Sequence, residues 1–257
     1  MISKNSINNI VRKLHLDEFI ESHKRLLRDN RGGFLIPFEV KITDKEYERY
    51  RHLPIDWSLS PITKDDLPAE FSDKAVKTVD MFRKKTHDLD VECMIYFDIE
   101  TGNIVSCNFA DDGSPDHVSG TIYPNFLKGM HIASAHNHPR KYGSPPSGKN
   151  FEMLQYDFEE FEIVLSQREL WVLESKTEVF DESFINEIRK DLDEGLQAIL
   201  DEICEDLDEG YLVLDNLNEK YGNFLLGYLN NRLDNIKLTR RYLDAWLLSR
   251  WKKSNSY

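Results

Sequence analysis

The first part of the chain alternates amphipathic stretches with Pro- and Gly-bearing breaks. Residues 5 to 29 carry apolar side chains at three- and four-residue steps among many charged ones, which predicts a helix that ends at "DNRGG". The following "FLIPFEVKI" predicts a strand, which Pro37 restricts to a sheet edge. A Pro-bearing connection, "LPIDWSLSPITKDDLP", comes next. We therefore treat residues 1 to 67 as an N-terminal extension of mixed helix and strand.

The region from Phe71 to Phe109 has sharper patterns. In "FSDKAVKTVDMFRKK", Ser72 stands where a helix N-cap is expected, and apolar residues recur on one face behind it. "VECMIYFDIETGNIVSCNFA" predicts a β-hairpin, because two apolar runs flank a hydrophilic, Gly-bearing turn at residues 100 to 103. A helix followed by two antiparallel strands is therefore expected.

The next segments complete a domain. "MHIASAH" predicts a short buried strand that delivers "HNHP" at its C-terminal end. Downstream, "NFEMLQYDFEEF" predicts a helix, and "EIVLSQRELWVLES" predicts a second hairpin. This order of elements is typical of a mixed α/β domain, which we place at residues 68 to 180, with its sheet between helices.

From Asp181 onward the apolar spacing becomes helical. The apolar stripe consists of Phe184, Ile188, Leu192, Leu196, Ile199, Ile203 and Leu207. Residues 181 to 210 hold twelve Asp or Glu and two Lys or Arg. We predict an α-helical C-terminal region over residues 181 to 257. Its stripe has two interpretations: helices that pack on each other or on the main domain, which we favour, or an arm that docks a protein partner.

Composition limits the class of protein and its partners. Of 257 residues, 40% are hydrophobic and 31% are charged, and no apolar run reaches the ~18 residues of a membrane span, so we expect a soluble protein. The N-terminal stretch has no apolar run with a cleavage site, and a cytoplasmic location is expected. A formal net charge of −13 disfavours nucleic acid as a partner. The three widely spaced cysteines predict reduced thiols.

The motif that points to a metal site is His136-Asn137-His138-Pro139. Alternate residues of an extended segment share a face, so the two imidazoles can bind one ion. Proline then fixes the exit of the chain from the strand. A catalytic zinc also needs a third protein ligand, an open position for water, and a carboxylate that takes the proton of this water. The plainer alternative is two polar loop residues.

A family resemblance favours the metal site. With the stretch from Ser147 to Asn150, which seven intervening residues separate from Pro139, the motif resembles the H-x-H-P and S-x-x-D signature of the JAMM (JAB/MPN) metallopeptidases. Members also carry a glutamate far upstream on a strand, and Glu92 is the natural match because it opens the first predicted strand. The resemblance covers about residues 70 to 178. It implies a JAB/MPN-like (cytidine-deaminase-like) sheet with flanking helices and a Zn²⁺ cofactor.

The resemblance also implies a role for each site residue. His136 and His138 would bind zinc. Glu92 would be the general base for the zinc-bound water, and Ser147 would help to hold the oxygen of the tetrahedral intermediate. Asn150 stands where the family carries its zinc-binding aspartate. Family members hydrolyse amide bonds, often isopeptide bonds to ubiquitin or a ubiquitin-like protein.

The asparagine changes what is expected of the metal. Imidazole ligands are neutral, so Asn150 removes the only anionic ligand and lowers the expected affinity. Glu152 and Asp157 are expected on other faces of a helix that starts near residue 148, so that only a shifted local frame would let Glu152 replace it. Three explanations stay open: a deliberate Asp-to-Asn inactivation, a naturally degenerate member retained for binding, or a site that works with an amide ligand or another metal.

Three functions are weighed on this basis. The leading one is a zinc-dependent metallopeptidase or isopeptidase that acts on a protein or peptide, including a ubiquitin-like conjugate. The alternative is a catalytically silent MPN-like scaffold that binds a protein partner through its C-terminal helices. The weakest is nucleic-acid processing, by analogy with DNA-repair-associated proteins that also show "HNHP".

Overall fold

The computed structural model describes residues 45–110, 118, 127, 129–139, 145–156, 158–166, 168–175, 180–206, 214–232 and 236–243. The predicted helix at 5 to 29 and the strand at 34 to 42 lie outside the described residues. The α-helices are α1 (Lys45–Arg51), α2 (Asp73–Thr86), α3 (Glu182–Asp206) and α4 (Leu214–Arg232), and 3₁₀ helices span Lys64–Asp66 and Gly148–Gln155. The strands are β1 (Cys93–Asp98), β2 (Ile104–Phe109), β3 (Ile132–Asn137), β4 (Glu159–Leu165), β5 (Glu169–Ser175) and β6 (Ile236–Tyr242).

The strands of the described residues form one mixed sheet in the order β2-β1-β3-β4-β5-β6. Strands β3 and β4 run parallel, and the other neighbouring pairs are antiparallel. Both predicted hairpins are present, as β1-β2 and β4-β5. The parallel pair requires a crossover, and the 3₁₀ helix Gly148–Gln155 belongs to it. The predicted mixed α/β fold is confirmed.

Helix α2 covers one face of the sheet. Ser72 caps it as predicted, since its Oγ accepts a hydrogen bond from Ala75 N at 3.1 Å. Val79 and Phe82 lie on the buried side of the helix and have no exposed surface. The core they join includes Phe97, Ala135 and Ile163 of the sheet. Each large side chain buried here contributes about 1.5–3 kcal/mol to folding.

The segment before α2 joins the same core. Tyr50, Ile62 and Leu67 are buried in it. Arg83 Nη1 of α2 donates a hydrogen bond to Ser60 O at 2.7 Å and so holds the connection against the helix. The described part of the N-terminal extension therefore packs on the sheet, while a domain boundary at residue 67 stays a prediction.

The opposite face is covered by α3, α4 and the 3₁₀ helix Gly148–Gln155. Ile188 and Leu192 of the predicted stripe are fully buried there, and Ile203 is buried too. Ile188 and Leu192 share a cluster with Trp171 of β5, so this part of the stripe packs on the main domain, as the favoured interpretation has it. Docking of a partner on the acidic outer side of these helices stays a prediction.

The prediction of helix throughout residues 181 to 257 is wrong at Ile236–Tyr242. This segment is β6 and pairs antiparallel with β5. Ile236 and Leu238 are buried while Lys237 between them is exposed, and this alternation has the period of two that a strand requires. The sequence pattern did not predict this strand, because the alternation extends over only seven residues and the neighbouring segments have helical spacing.

The helix predicted at residues 150 to 161 is also partly wrong. The 3₁₀ helix ends at Gln155, Tyr156 is extended, and β4 has begun by Glu159. This segment forms a strand because Phe161 and Ile163 are then buried in the core beside β3.

Among the described residues, no helix is long and apolar enough to cross a membrane. Cys93 and Cys107 are buried, free thiols, as expected.

Candidate metal centre

Strand β3 brings the two histidines together at the open edge of a cleft. His136 is buried in β3, and His138 follows the strand while its backbone N still donates to Leu165 O of β4 at 2.8 Å. Their Nε2 atoms lie 3.3 Å apart. Two ligands of a tetrahedral zinc with bonds of about 2.0–2.1 Å lie about 3.3 Å apart by geometry. The histidine pair therefore fits one zinc ion.

The environment keeps His136 neutral. Burial, and then the neighbouring His138, lower the pKa of His136 well below its usual value. A metal binds the neutral imidazole, so this shift favours a ligand. Glu162 Oε1 lies 3.4 Å from the other ring nitrogen, Nδ1. A carboxylate in this place favours the tautomer that carries its proton on Nδ1 and leaves Nε2 free for a metal.

Glu92 lines the same cleft as the two histidines. It stands directly before β1, and its side chain is buried, with Oε2 accepting a hydrogen bond from Val118 N at 3.2 Å. Its neighbour Met94 pairs with His136 across β1 and β3. The structure thus brings the predicted base and the predicted ligands to one cleft.

Ser147 and Asn150 form a reciprocal cap at the start of the 3₁₀ helix. Asn150 Oδ1 accepts hydrogen bonds from Ser147 N at 2.6 Å and Ser147 Oγ at 3.1 Å. Asn150 Nδ2 donates to Glu162 Oε1 at 3.0 Å and lies 3.1 Å from His136 Nε2. The side chain predicted as third ligand therefore reaches the histidines, but with its nitrogen.

The orientation of the Asn150 amide is fixed from both ends. A rotated amide would place its oxygen against the Glu162 carboxylate and its NH₂ group against the Ser147 N–H. The contact with the Ser147 N–H would pair a donor with a donor. An amide nitrogen is not a zinc ligand, so the donor set present is two imidazoles, and the third position does not fit the metal as it stands. An aspartate would present an oxygen at the same place.

Two buried glutamates on β4 were not predicted as site residues. Glu159 and Glu162 both line the cleft and are each 4% exposed. An irregularity in the β3-β4 pairing leaves Glu160 without a partner across the ladder, so residues three apart face the same side. Strict alternation along "EEFEIVL" would have separated them, which is why the sequence pattern did not reveal the pair.

Burial dominates the electrostatics of these acids. It raises the pKa of Glu159 to about 7. Burial, and then the charge of Glu159, raise the pKa of Glu162 well above its usual value. Burial and both carboxyl groups also raise the pKa of Tyr96, which lines the same cleft, so its hydroxyl stays protonated.

Of the two acids considered as replacements for Asn150, Glu152 lines the cleft and accepts a hydrogen bond from Arg189 of α3 at 3.0 Å. Asp157 lies outside the described residues. His131 is half-exposed and contacts Glu160 at 2.6 Å, which raises the pKa of His131. It is therefore a surface residue.

A second group with metal-ligating side chains lies at the end of α2. His87 Nε2 is 3.2 Å from Asp56 Oδ2 and 3.3 Å from Asp88 Oδ2. Asp56 Oδ1 also accepts hydrogen bonds from Ser58 N and Oγ. These contacts are those of a histidine that lies between two acids, and exposed acids commonly form such clusters. The sequence pattern did not single out this group.

The chain was compared with protein-family models, with curated proteins and with solved structures, and none of the three comparisons found a match.

Proposed function

We propose that the cleft is the active site of a zinc-dependent metallopeptidase or isopeptidase of the JAMM type, which hydrolyses an amide bond of a peptide or protein. The carrying observation is the 3.3 Å separation of the His136 and His138 Nε2 atoms beside Glu92 in one cleft. The mixed sheet, with a helix before β1 and the histidines at the end of β3, supports a JAB/MPN-like fold for this region.

Each residue has a defined task in this proposal. His136 and His138 would hold the zinc ion, which supplies a water of lowered pKa and a Lewis acid for the substrate carbonyl. Glu92 takes a proton from water and returns it to the leaving amine, as a partly buried carboxylate can. The Ser147 hydroxyl lies at the mouth of the cleft, where it can donate to the oxygen that gains negative charge.

Asn150 and Glu162 set the expected metal affinity. Asn150 presents an NH₂ group where an anionic ligand is needed, so zinc should bind weakly. Glu162 lies one layer further out, with Oε1 at 3.4 Å from His136 Nδ1. Because this carboxylate is not in the ligand position itself, it orients His136 but does not restore a full ligand set.

The test compares the chain with its Asn150→Asp variant. Zinc content after dialysis and zinc affinity by chelator competition should both rise in the variant, by at least about tenfold in affinity, since a carboxylate oxygen then faces the histidines. Cleavage of lysine-linked peptide and ubiquitin-like model substrates should appear or rise in parallel. A His136→Ala/Asn150→Asp double variant is the matched control and should lose both.

The proposal fails if the Asn150→Asp variant binds zinc stoichiometrically and cuts none of the amide substrates. It also fails if the variant binds zinc no better than the double variant. Circular dichroism of all three proteins separates these results from misfolding.

A second candidate is a catalytically silent binding module. The observation that favours it is the Asn150 amide, held by Ser147 and Glu162 with its nitrogen towards His136. In this case zinc is absent from the purified protein, and His138→Ala leaves binding of a protein partner unchanged. Loss of that partner on removing the outer acidic side chains of α3 would support this candidate. Stoichiometric zinc in the wild-type protein would exclude it.

A further inference from the structure

We propose that the floor of this cleft is a subsite for a cationic nitrogen group, an ammonium or a guanidinium, on the side chain of the substrate residue next to the scissile amide. The part of the proposal that concerns the scissile amide rests on the proposed function. Recognition of the cation itself needs only Glu159 and Glu162, and no metal.

The first observation is that two buried carboxyl groups line the cleft and each has one oxygen without a hydrogen-bond partner. Glu159 and Glu162 are each 4% exposed and line the cleft. Within the described part of the chain, neither Glu159 Oε1 nor Glu162 Oε2 has a hydrogen-bond partner. Buried polar atoms are nearly always paired in folded proteins, so two unpaired oxygens at one cleft indicate a ligand that carries donors.

The second observation is the chemistry that would pair both oxygens. Each ionised carboxylate only accepts hydrogen bonds, so the ligand must bring N–H groups, and a positive charge strengthens each bond. An ammonium carries three donors and a guanidinium carries five. Either carries enough donors for both carboxyl groups, and its positive charge offsets the unfavourable burial of the acids once they are ionised.

The walls of the cleft suit the rest of such a side chain. Met94 and Met153 line it beside the acids, and their flexible thioethers can pack on the methylene groups of a lysine or arginine. Tyr156, stacked on Phe158 at 5.2 Å between ring centroids, is 46% exposed at the same cleft and offers an aromatic face to a cation. Lys149 also lines the cleft, but it is exposed at its rim.

The acid pair also differs from its neighbour on the same strand. Glu160 is 41% exposed in its side chain and its Oε1 contacts His131 Nδ1 at 2.6 Å. A carboxylate in that setting is already paired and solvated. The strand therefore carries one ordinary surface glutamate between two that are buried and incompletely paired, which makes Glu160 the matched control.

The test uses full-length, metal-free protein and two pairs of small probes in nuclear magnetic resonance titrations. Nα-acetyl-lysine methylamide is compared with its norleucine counterpart, and Nα-acetyl-arginine methylamide with its citrulline counterpart. At least one cationic probe should bind about tenfold or more tightly than its neutral counterpart. The pair with the larger ratio identifies ammonium or guanidinium as the preferred group.

Two variants show which carboxyl group causes the preference for the cationic probe. Glu159→Gln should reduce the charge preference to about twofold or less, and Glu160→Gln should keep it unchanged. Equal binding of charged and neutral probes by the wild-type protein overturns the proposal, whether or not the variant folds. A preference that survives Glu159→Gln overturns it as well. Because no metal is present, either failure leaves the zinc hydrolase untouched, and a failed zinc test leaves this subsite standing.

Discussion

Asn137, the residue between the two histidines, is hydrogen-bonded to the backbone on both sides of Glu92. Its Oδ1 accepts from Cys93 N at 2.7 Å, and its Nδ2 donates to Val91 O at 3.2 Å. Since successive residues of a strand point to opposite faces, Asn137 ties β3 to the start of β1 on one side while His136 faces the cleft on the other. The spacer of the H-x-H motif thus positions the proposed base.

Replacing this amide should weaken both the fold and the site. Asn137→Ala leaves the buried N–H of Cys93 without its acceptor, which should lower the free energy of unfolding by about 1–3 kcal/mol. The backbone on both sides of Glu92 is then no longer held by Asn137, and any amidase activity of the Asn150→Asp protein should fall. Urea unfolding measures the first effect and steady-state kinetics the second.

Asn108→Ala is a suitable control for Asn137→Ala. Asn108 lies on β2, is half-buried, and donates to Ser106 Oγ of its own strand at 3.0 Å. Its replacement should change stability by less than about 0.5 kcal/mol. Equal losses in the two variants would show that Asn137 has no special place in the site.

The assigned base can be separated from the metal ligands. In the Asn150→Asp protein, Glu92→Gln should keep the zinc content and reduce the rate of amide hydrolysis by about 10²–10⁴-fold, because the amide cannot accept a proton. Glu100→Gln, in the β1-β2 turn with a side chain 68% exposed, should change neither. Loss of zinc from the Glu92→Gln protein would instead make Glu92 a ligand.

Local patterns in the sequence predict most of the sheet but not the details of the site. Apolar runs bounded by turns predict β1 to β5, and the H-x-H spacing predicts the shared face of His136 and His138. The direction of the Asn150 amide depends on Glu162, which approaches it only once β4 has paired with β3. The side of the sheet on which Glu159 lies depends on an irregularity in the same pairing, and no local sequence pattern encodes this irregularity.

The buried acid on β4 predicts a pH effect on stability. The pKa of Glu159 is raised to about 7, so the folded protein keeps this proton over a range in which the unfolded chain, near pH 4.5, has lost it. The folded state then binds more protons, and the free energy of unfolding falls as the pH rises from about 4.5 to 7, by about 3 kcal/mol in total. Below this window the contribution is complete, and above it the contribution is lost.

Glu159→Gln should remove this pH-dependent contribution. The difference in unfolding free energy between wild type and variant, from urea titrations at pH values across the window, measures the contribution of Glu159 together with the effect of its charge on Glu162. The exposed Glu70 serves as control, and Glu70→Gln should leave the slope unchanged. A wild-type-minus-variant difference that is flat with pH would contradict the assigned burial of Glu159.

The last prediction concerns β6, the strand that the helical spacing concealed. Arg240 is 4% exposed in its side chain, its Nη2 lies 2.5 Å from Glu169 Oε1, and its guanidinium lies 4.9 Å from the ring centroid of Trp171. Glu169 Oε2 accepts a further hydrogen bond from Trp171 Nε1 at 3.0 Å. Arg240→Leu leaves a buried carboxylate without its cation and should lower the free energy of unfolding by about 3–5 kcal/mol.

Arg241→Leu is the matched control, because the next residue of a strand faces the other way and Arg241 is exposed. Its effect should stay within about 0.5 kcal/mol. In an Arg240→Leu/Glu169→Leu double variant no buried charge is left unpaired, so the loss should be smaller than for Arg240→Leu alone. Urea unfolding of the wild type and the three variants measures these free energies. Equal losses for Arg240→Leu and Arg241→Leu would contradict the alternation of a strand at this edge of the sheet.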